Sequence, residues 1–131
     1  MRFLVPAALL VVAAIHLLPL IGVISGSRVA SLYGIVVNDP NLEILLRHRA
    51  VLFGLLGVFI AYAAFQPHLR TLALVAGAVS IATFLALAFS VGGYNSAIST
   101  VVKADLVAAA ALALGAAGHL RSAASQETPS K

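Results

Sequence analysis

Four long apolar blocks dominate this chain of 131 residues. Hydrophobic residues make up 62% of it and charged residues 9%, whereas an ordinary soluble domain is about half apolar and about a quarter charged. Each block is close to the roughly 20 residues that an α-helix needs to cross a bilayer core. The sequence therefore predicts an all-α fold, an integral membrane four-helix bundle with short loops.

One transmembrane domain accounts for most of the chain, and it is expected to cover residues 1–121. Its four predicted spans are about 4–24, 44–65, 71–91 and 101–120. The first block could instead be a signal peptide, but its apolar run of about 21 residues exceeds the usual core of 7–15. We therefore expect an uncleaved first helix. The small polar residues of 122–131 predict a disordered tail.

Proline residues mark where the predicted helices bend and begin. Pro19 lies inside the first block and predicts a kink, because its ring opposes the carbonyl four residues back. The sequence Asn38-Asp39-Pro40 places a capping side chain before a proline, which predicts a helix that begins near Pro40. The segment 25–38 between them is expected to form a short interfacial helix or a turn.

The charge and the residue types exclude several classes of function. The net charge is +4, but the basic residues are dispersed between helix ends, which is typical of membrane proteins and argues against nucleic-acid binding. The chain has no cysteine, which excludes disulfides, iron–sulfur clusters and cysteine-based zinc sites. No histidine or glutamate pair has metal-binding helical spacing, so no metal site is predicted.

Four spans place both termini on one side of the membrane. Each side carries four basic residues, but Arg47 and Arg49 lie inside the second predicted helix and need not act as topology signals. Without them the excess of basic residues lies on the side of the termini. We therefore expect a multi-pass protein of the cell membrane with cytoplasmic termini.

This topology also brings most of the polar residues to one side of the membrane. The end of the first helix, the start of the second, the end of the third and the start of the fourth meet there. Ionisable residues are costly in a membrane and often mark functional sites. The candidate ligand-binding residues are Glu43, Arg47, His48, Arg49, Tyr94, Asn95 and Asp105, together with His16 deeper in the bundle.

The predicted helix that begins near Pro40 combines charged residues with a stripe of small residues. Glu43 and Arg47 are four residues apart, which favours a salt bridge, either as a structural anchor or as part of a ligand or headgroup site. The stripe that continues from them predicts close approach of another helix. Its members are Ala50, Gly54, Gly57 and Ala61.

Two isolated ionisable residues each allow a structural and a functional interpretation. Asp105 could stabilise a helix N-terminus, or it could be a counter-ion for Arg47 or Arg49. His16 could be neutral and hydrogen-bonded to Ser80 or Thr83, or it could bind a ligand or transfer a proton. The residues alone leave both pairs of alternatives open.

The chain resembles the DoxX-like group of small four-helix membrane proteins over about residues 5–120. The motifs that carry the resemblance are Leu32-Tyr33-Gly34, Asn38-Asp39-Pro40, Leu45-Leu46-Arg47-His48-Arg49-Ala50 followed by Gly54 and Gly57, then Tyr94-Asn95 and Asp105. The resemblance implies an accessory or oxidoreductase-associated role in a membrane, and it carries over no catalytic residue. A weaker likeness to small membrane epoxide isomerases implies haem binding through His48.

Three classes of function are compatible with this pattern. The favoured one is an accessory or binding protein for a lipid-like or quinone-like amphiphile, for a partner membrane subunit, or for a second copy of the chain. In it, Arg47 and Arg49 would contact the head group. The alternative is a membrane enzyme, an isomerase or oxidoreductase with or without haem, that uses His48 or His16 on a hydrophobic substrate. A pore or transporter is the third.

Overall fold

The computed structural model describes residues 3–124, and this part of the chain is built from helices with short connections and no strand. The all-α prediction is therefore confirmed. The α-helices are α1 (Leu4–Leu17), α2 (Gly26–Tyr33), α3 (Pro40–Phe65), α4 (Arg70–Val91) and α5 (Ser96–Ala124). Two 3₁₀ segments, Leu18–Val23 and Pro67–Leu69, extend α1 and join α3 to α4.

Four of these helical stretches are long and apolar enough to cross a membrane. They are Leu4–Val23, Pro40–Phe65, Pro67–Val91 and Ser96–Arg121. The helix α2 is only eight residues long and lies between the first two spans. The protein is thus a four-helix integral membrane bundle, as the hydropathy pattern predicts.

The core forms along α1, which packs extensively against both α3 and α5. The helix α4 completes the bundle by contacting α5 and, less extensively, α3. Leu9, Val12, Ile60, Ala73 and Ala108 are fully buried between the helices. Large apolar side chains cover the outer surface of the same helices, which is the arrangement that lipid contact allows.

Glycine residues let α1 and its 3₁₀ extension approach α3 closely. A Cβ atom at Gly57 would lie 2.8 Å from Cγ of Leu17 and 3.2 Å from the carbonyl oxygen of Ala13. Gly54 faces Leu20 in the same way. The predicted small-residue contact surface of this helix is confirmed at these two positions.

At Pro19, where the sequence predicts a kink, the structure shows a change of helix type. The α-helical hydrogen-bonding pattern of α1 ends at Leu17, and the chain continues as the 3₁₀ segment Leu18–Val23. Because proline has no N–H and its ring opposes the carbonyl four residues earlier, a continuous α-helix is disfavoured here. The apolar segment therefore keeps its length while its geometry changes.

The start of α3 is confirmed at Pro40. The Asp39 carboxylate accepts a hydrogen bond of 2.8 Å from the backbone N–H of Asn41, and Pro40 occupies the first helical position. The segment before α3 contains α2, so of the two predicted alternatives, a short helix or a turn, the structure has the helix. Gly34 ends α2 in the left-handed conformation, with φ of 61°.

The last helix is longer than predicted at both ends. It begins at Ser96 rather than near residue 101, because Asn95 caps it: Oδ1 of Asn95 accepts a hydrogen bond of 2.9 Å from the backbone N–H of Ile98. It continues to Ala124, so the first three residues of the expected tail are helical. Residues 125–131 of that tail lie outside the described part of the chain.

Candidate functional site

A cavity of about 330 Å³ lies where α1 ends and where α3 and α5 begin. All five helices contribute to its wall, and most of the lining is apolar. The lining residues are Ile15, His16, Leu18, Pro19, Leu32, Tyr33, Arg49, Phe53, Phe84, Ala97, Thr100, Val101, Ala104 and Asp105. Four of these side chains carry a titratable or charged group: His16, Tyr33, Arg49 and Asp105.

His16 is buried in the wall of this cavity, with 2% of its surface exposed. Its Nδ1 lies 2.9 Å from the carbonyl oxygen of Val12, one turn earlier in α1. Since a carbonyl only accepts, Nδ1 carries the hydrogen, and in the neutral ring Nε2 then accepts from the Ser80 hydroxyl at 3.0 Å. The predicted hydrogen bond to Ser80 is confirmed, and both ring nitrogens have partners.

Arg49 reaches the cavity from α3 between two aromatic rings. Its guanidinium carbon lies 5.3 Å from the ring centre of Tyr33 and 4.9 Å from that of Phe53. Both distances fit cation–π contacts. The rings hold the guanidinium group in place, but no described residue accepts a hydrogen bond from it. Its N–H groups are therefore available to whatever occupies the cavity.

Asp105 faces Arg49 across the cavity from α5. Only 8% of its surface is exposed, and no described residue donates a hydrogen bond to its carboxylate. Arg49 lines the same cavity, yet no ion pair within 4.0 Å joins the two side chains among the described residues. Its carboxylate oxygens are not fully enclosed, so a hydrogen-bond donor in the cavity can reach them.

The aromatic residue Tyr33 closes the cavity from α2. It is 5% exposed, and burial raises the pKa of its phenol above the ordinary value of 10.0, while the nearby charge of Arg49 opposes that rise. Tyr33 is therefore neutral at physiological pH, and its hydroxyl can both donate and accept a hydrogen bond.

Asn95 holds α2 over the cavity without lining it. Its Nδ2 donates to the carbonyl oxygens of Tyr33, at 2.9 Å, and of Gly34, at 3.0 Å. Its Oδ1 accepts from the backbone of α5, so both ends of the amide are engaged. The structure thus places this candidate residue in a positioning role between α2 and α5.

Glu43 and Arg47 form the predicted salt bridge, at 3.0 Å, beside the cavity rather than in it. Oε1 of Glu43 also accepts from the backbone N–H of Gly26 at 3.1 Å, and Nε of Arg47 donates to the carbonyl oxygen of Val23 at 2.9 Å. The pair therefore bonds the end of the 3₁₀ segment and the start of α2 to α3. These contacts fit the structural anchor rather than a ligand or headgroup site.

His48 and Tyr94 are exposed and lie outside the cavity wall. His16, which lines the cavity, has both ring nitrogens hydrogen-bonded. It therefore has no free nitrogen for a haem iron. Within residues 3–124, no three His, Asp or Glu side chains converge as metal ligands.

The two aromatic residues that contact Arg49 in the cavity, Tyr33 and Phe53, are not among the candidates from the sequence. Phe53 lies four residues after Arg49, a helical spacing that places two side chains on one face, and this spacing was the available signal. Tyr33 belongs to the Leu32-Tyr33-Gly34 motif, which carries no information about a ligand site. Its approach to Arg49 depends on how α2 folds back over α3, which the local sequence does not specify.

A second cavity, of about 350 Å³, lies between α4 and α5 and is lined only by apolar residues. Leu74, Ile81 and Leu112 form part of its wall. It contains no polar side chain, and so it offers neither chemistry nor orientation to a ligand. The cavity beside Arg49 and Asp105 is the candidate site.

Comparisons of this chain with protein-family models, with curated proteins and with solved structures find no match.

Proposed function

We propose that this multi-pass protein binds a lipid-like or quinone-like amphiphile, with the polar head of the ligand in the cavity between Arg49 and Asp105. One observation carries the proposal. Two oppositely charged side chains line a mostly apolar cavity, and neither has a hydrogen-bond partner among the described residues. Cavities that combine apolar walls with a few convergent polar groups are characteristic of small-molecule sites.

The position of the cavity suits a ligand that arrives from the bilayer. Leu18, at 64% exposure, lies on its rim, and Thr100 on the same rim is also exposed. An apolar tail can leave the cavity past these residues and lie among the lipids, while the head group stays with Arg49. The apolar lining then contacts the part of the molecule nearest the head.

The proposal revises the roles expected for the basic residues. Arg47 is committed to Glu43 and to the backbone of Val23, so Arg49 alone is assigned to the head group. Asp105 and Tyr33 complete the polar part of the site. Asn95, Glu43 and Arg47 act indirectly, by holding α2 and its preceding segment in place.

Native mass spectrometry of the gently purified protein tests the proposal. We expect a bound mass in the wild type that is lost in Arg49→Gln and in Asp105→Asn. The variant His48→Gln, exposed and one residue before Arg49, is the matched control and should keep the mass. A wild-type protein without bound mass, even after incubation with lipid extract, or a mass that both cavity variants retain, contradicts the proposal.

An absorption spectrum of the same sample tests the haem alternative. The proposed amphiphile site gives no Soret band. A Soret band that disappears in His48→Gln would instead support the haem enzyme expected from the weaker resemblance.

We further propose that the protein resides in the cell membrane with cytoplasmic termini, which places the cavity in the opposite half of the bilayer. The basic side chains of Arg47 and Arg49 serve the anchor and the cavity, so the remaining flanking charges favour this orientation. The chain has no cysteine, and so single cysteines report topology directly. An impermeant maleimide applied to intact cells should label Ser27→Cys and not His68→Cys, and the reverse result overturns the orientation.

A further inference from the structure

The charges in the cavity restrict the kind of head group that it can take. Arg49 keeps its positive charge in proteins, and Asp105 provides the only acidic side chain in the lining. Both ring nitrogens of His16 are hydrogen-bonded, Nδ1 to the Val12 carbonyl and Nε2 with the Ser80 hydroxyl, so His16 offers no free nitrogen to a head group. The charged side chains that lack a hydrogen-bond partner among the described residues are therefore one cation, Arg49, and one anion, Asp105, and they are separated by more than ion-pair distance.

An anionic or a cationic head group satisfies only one half of this site. A carboxylate would accept hydrogen bonds from Arg49, but it would lie near the Asp105 carboxylate in a medium where like charges repel strongly. An ammonium would donate to Asp105, but it would face the guanidinium group. Either head leaves one charged side chain without a partner, and that loss is costly in a buried site.

Arg49 and Asp105 cannot easily move away from a head group that leaves one of them without a partner. Tyr33 and Phe53 hold the guanidinium group of Arg49 at 5.3 Å and 4.9 Å from their ring centres. Asp105 has a short side chain on the continuous helix α5, which limits its reach. The donor side and the acceptor side of the cavity are therefore fixed relative to each other.

We infer that the cavity selects a neutral amphiphile whose head carries a hydrogen-bond acceptor beside a hydroxyl donor, in preference to a fatty-acid anion or a long-chain ammonium. The acceptor, such as an ester or ring carbonyl, receives hydrogen bonds from Arg49. The hydroxyl donates to Asp105, and the neutral Tyr33 hydroxyl can bond with either group. This inference rests on the proposed function and specifies its ligand class.

Three probes with the same hydrocarbon chain test the inference: monoolein, oleate and oleylamine. Each probe is added to the full-length protein in a mild non-ionic detergent at neutral pH. Binding is measured by native mass spectrometry and by the shift of the thermal unfolding midpoint. We expect monoolein to bind the wild type at least about tenfold more tightly than either charged probe. The exposed variant His48→Gln should keep this order.

Two variants change the charge of the site while keeping its size. Asp105→Asn leaves Arg49 uncompensated and should favour oleate over monoolein, whereas Arg49→Gln should favour oleylamine. The thermal midpoint without a probe shows that each variant is folded. An unchanged order of affinities in both folded variants overturns the inference.

The outcomes separate this inference from the proposed function. Wild-type protein that binds oleate or oleylamine as tightly as monoolein, with binding lost in Arg49→Gln, contradicts the neutral-head selection and leaves the amphiphile site standing. Wild-type protein that binds none of the three probes and carries no co-purified mass contradicts both.

Discussion

The side-chain amide of Asn95 donates a hydrogen bond of 2.9 Å to the backbone carbonyl of Tyr33, 62 residues earlier in the chain. A second bond joins the same nitrogen to the carbonyl of Gly34 at 3.0 Å. Because the other end of the amide caps α5, this one side chain sets the position of α2 relative to α5. Tyr33 is thereby placed over the cavity.

Replacement of Asn95 separates its two roles. Asn95→Asp keeps an oxygen that can cap α5 but loses both bonds to α2, so we expect a free-energy loss of about 1–2 kcal/mol. Asn95→Ala also loses the cap, which adds about 1 kcal/mol. Thermal unfolding in detergent gives the order wild type, Asp variant, Ala variant from most to least stable.

The control for the Asn95 variants is Asp39, a residue that caps a helix without bonding to a second helix. Asp39 caps α3 through Asn41 alone, so Asp39→Ala should cost only the cap and leave probe binding unchanged. The role of Asn95 in joining α2 to α5 is contradicted if Asn95→Asp has the same melting temperature as the wild type and binds monoolein equally well.

The architecture could be predicted from the sequence because its determinants are local. Hydropathy along the chain gives four spans, Pro19 interrupts the first, and Asp39 with Pro40 begins the second. Each signal acts within a few residues, so a single sequence is sufficient. The start of α5 at Ser96 was not predicted, although asparagine is a preferred helix cap and Asn95 precedes it.

The site was only partly predictable because it depends on contacts between distant segments. Of the polar residues expected to gather on one side of the membrane, His16, Arg49 and Asp105 line one cavity, and helix rotation decides which of the others face inward. Arg47 and Arg49 differ by two positions, about 200° around a helix, and only Arg49 reaches the cavity. Tyr33 joins the site through the long-range bonds of Asn95, for which the sequence has no spacing rule.

Removal of the salt bridge between Glu43 and Arg47 should lower the stability of the protein without weakening its binding of the amphiphile. Both side chains are partly exposed, so the ion pair itself contributes little, and the bonds to the backbone of Gly26 and Val23 matter more. We expect Arg47→Ala to lose about 1–2 kcal/mol of stability while its bound amphiphile remains. Melting and native mass spectrometry on the same preparation measure both.

Arg49→Ala is the matched comparison, two residues along α3. It should lose the bound mass with a smaller change in melting, since its side chain makes no hydrogen bond to a described residue. If Arg47→Ala abolishes binding while its melting temperature is unchanged, Arg47 belongs to the ligand site and its assignment as an anchor is wrong.

Close packing at Gly57 predicts intolerance of a larger side chain. A valine there would press its Cβ on Leu17 and on the backbone carbonyl of Ala13, and overpacking of this kind costs about 1–3 kcal/mol. Ala14→Val, at an exposed position of α1, introduces the same residue without the contact. Thermal unfolding should show a clear loss for Gly57→Val only, and equal melting of the two variants would contradict the close helix contact.

The raised pKa of Tyr33 predicts that its phenol titrates above the ordinary value of 10.0. Burial favours its neutral form in the folded protein, so this contribution to stability is fully present below pH 10.0, the ordinary pKa. It is lost as the pH rises through the raised folded pKa, because the unfolded chain then releases a proton that the native protein retains. Tyrosinate absorbance should show a late component that Tyr33→Phe removes. In Arg49→Gln that component should titrate later still, since the opposing charge is absent, and an earlier titration would contradict the contact between the two side chains.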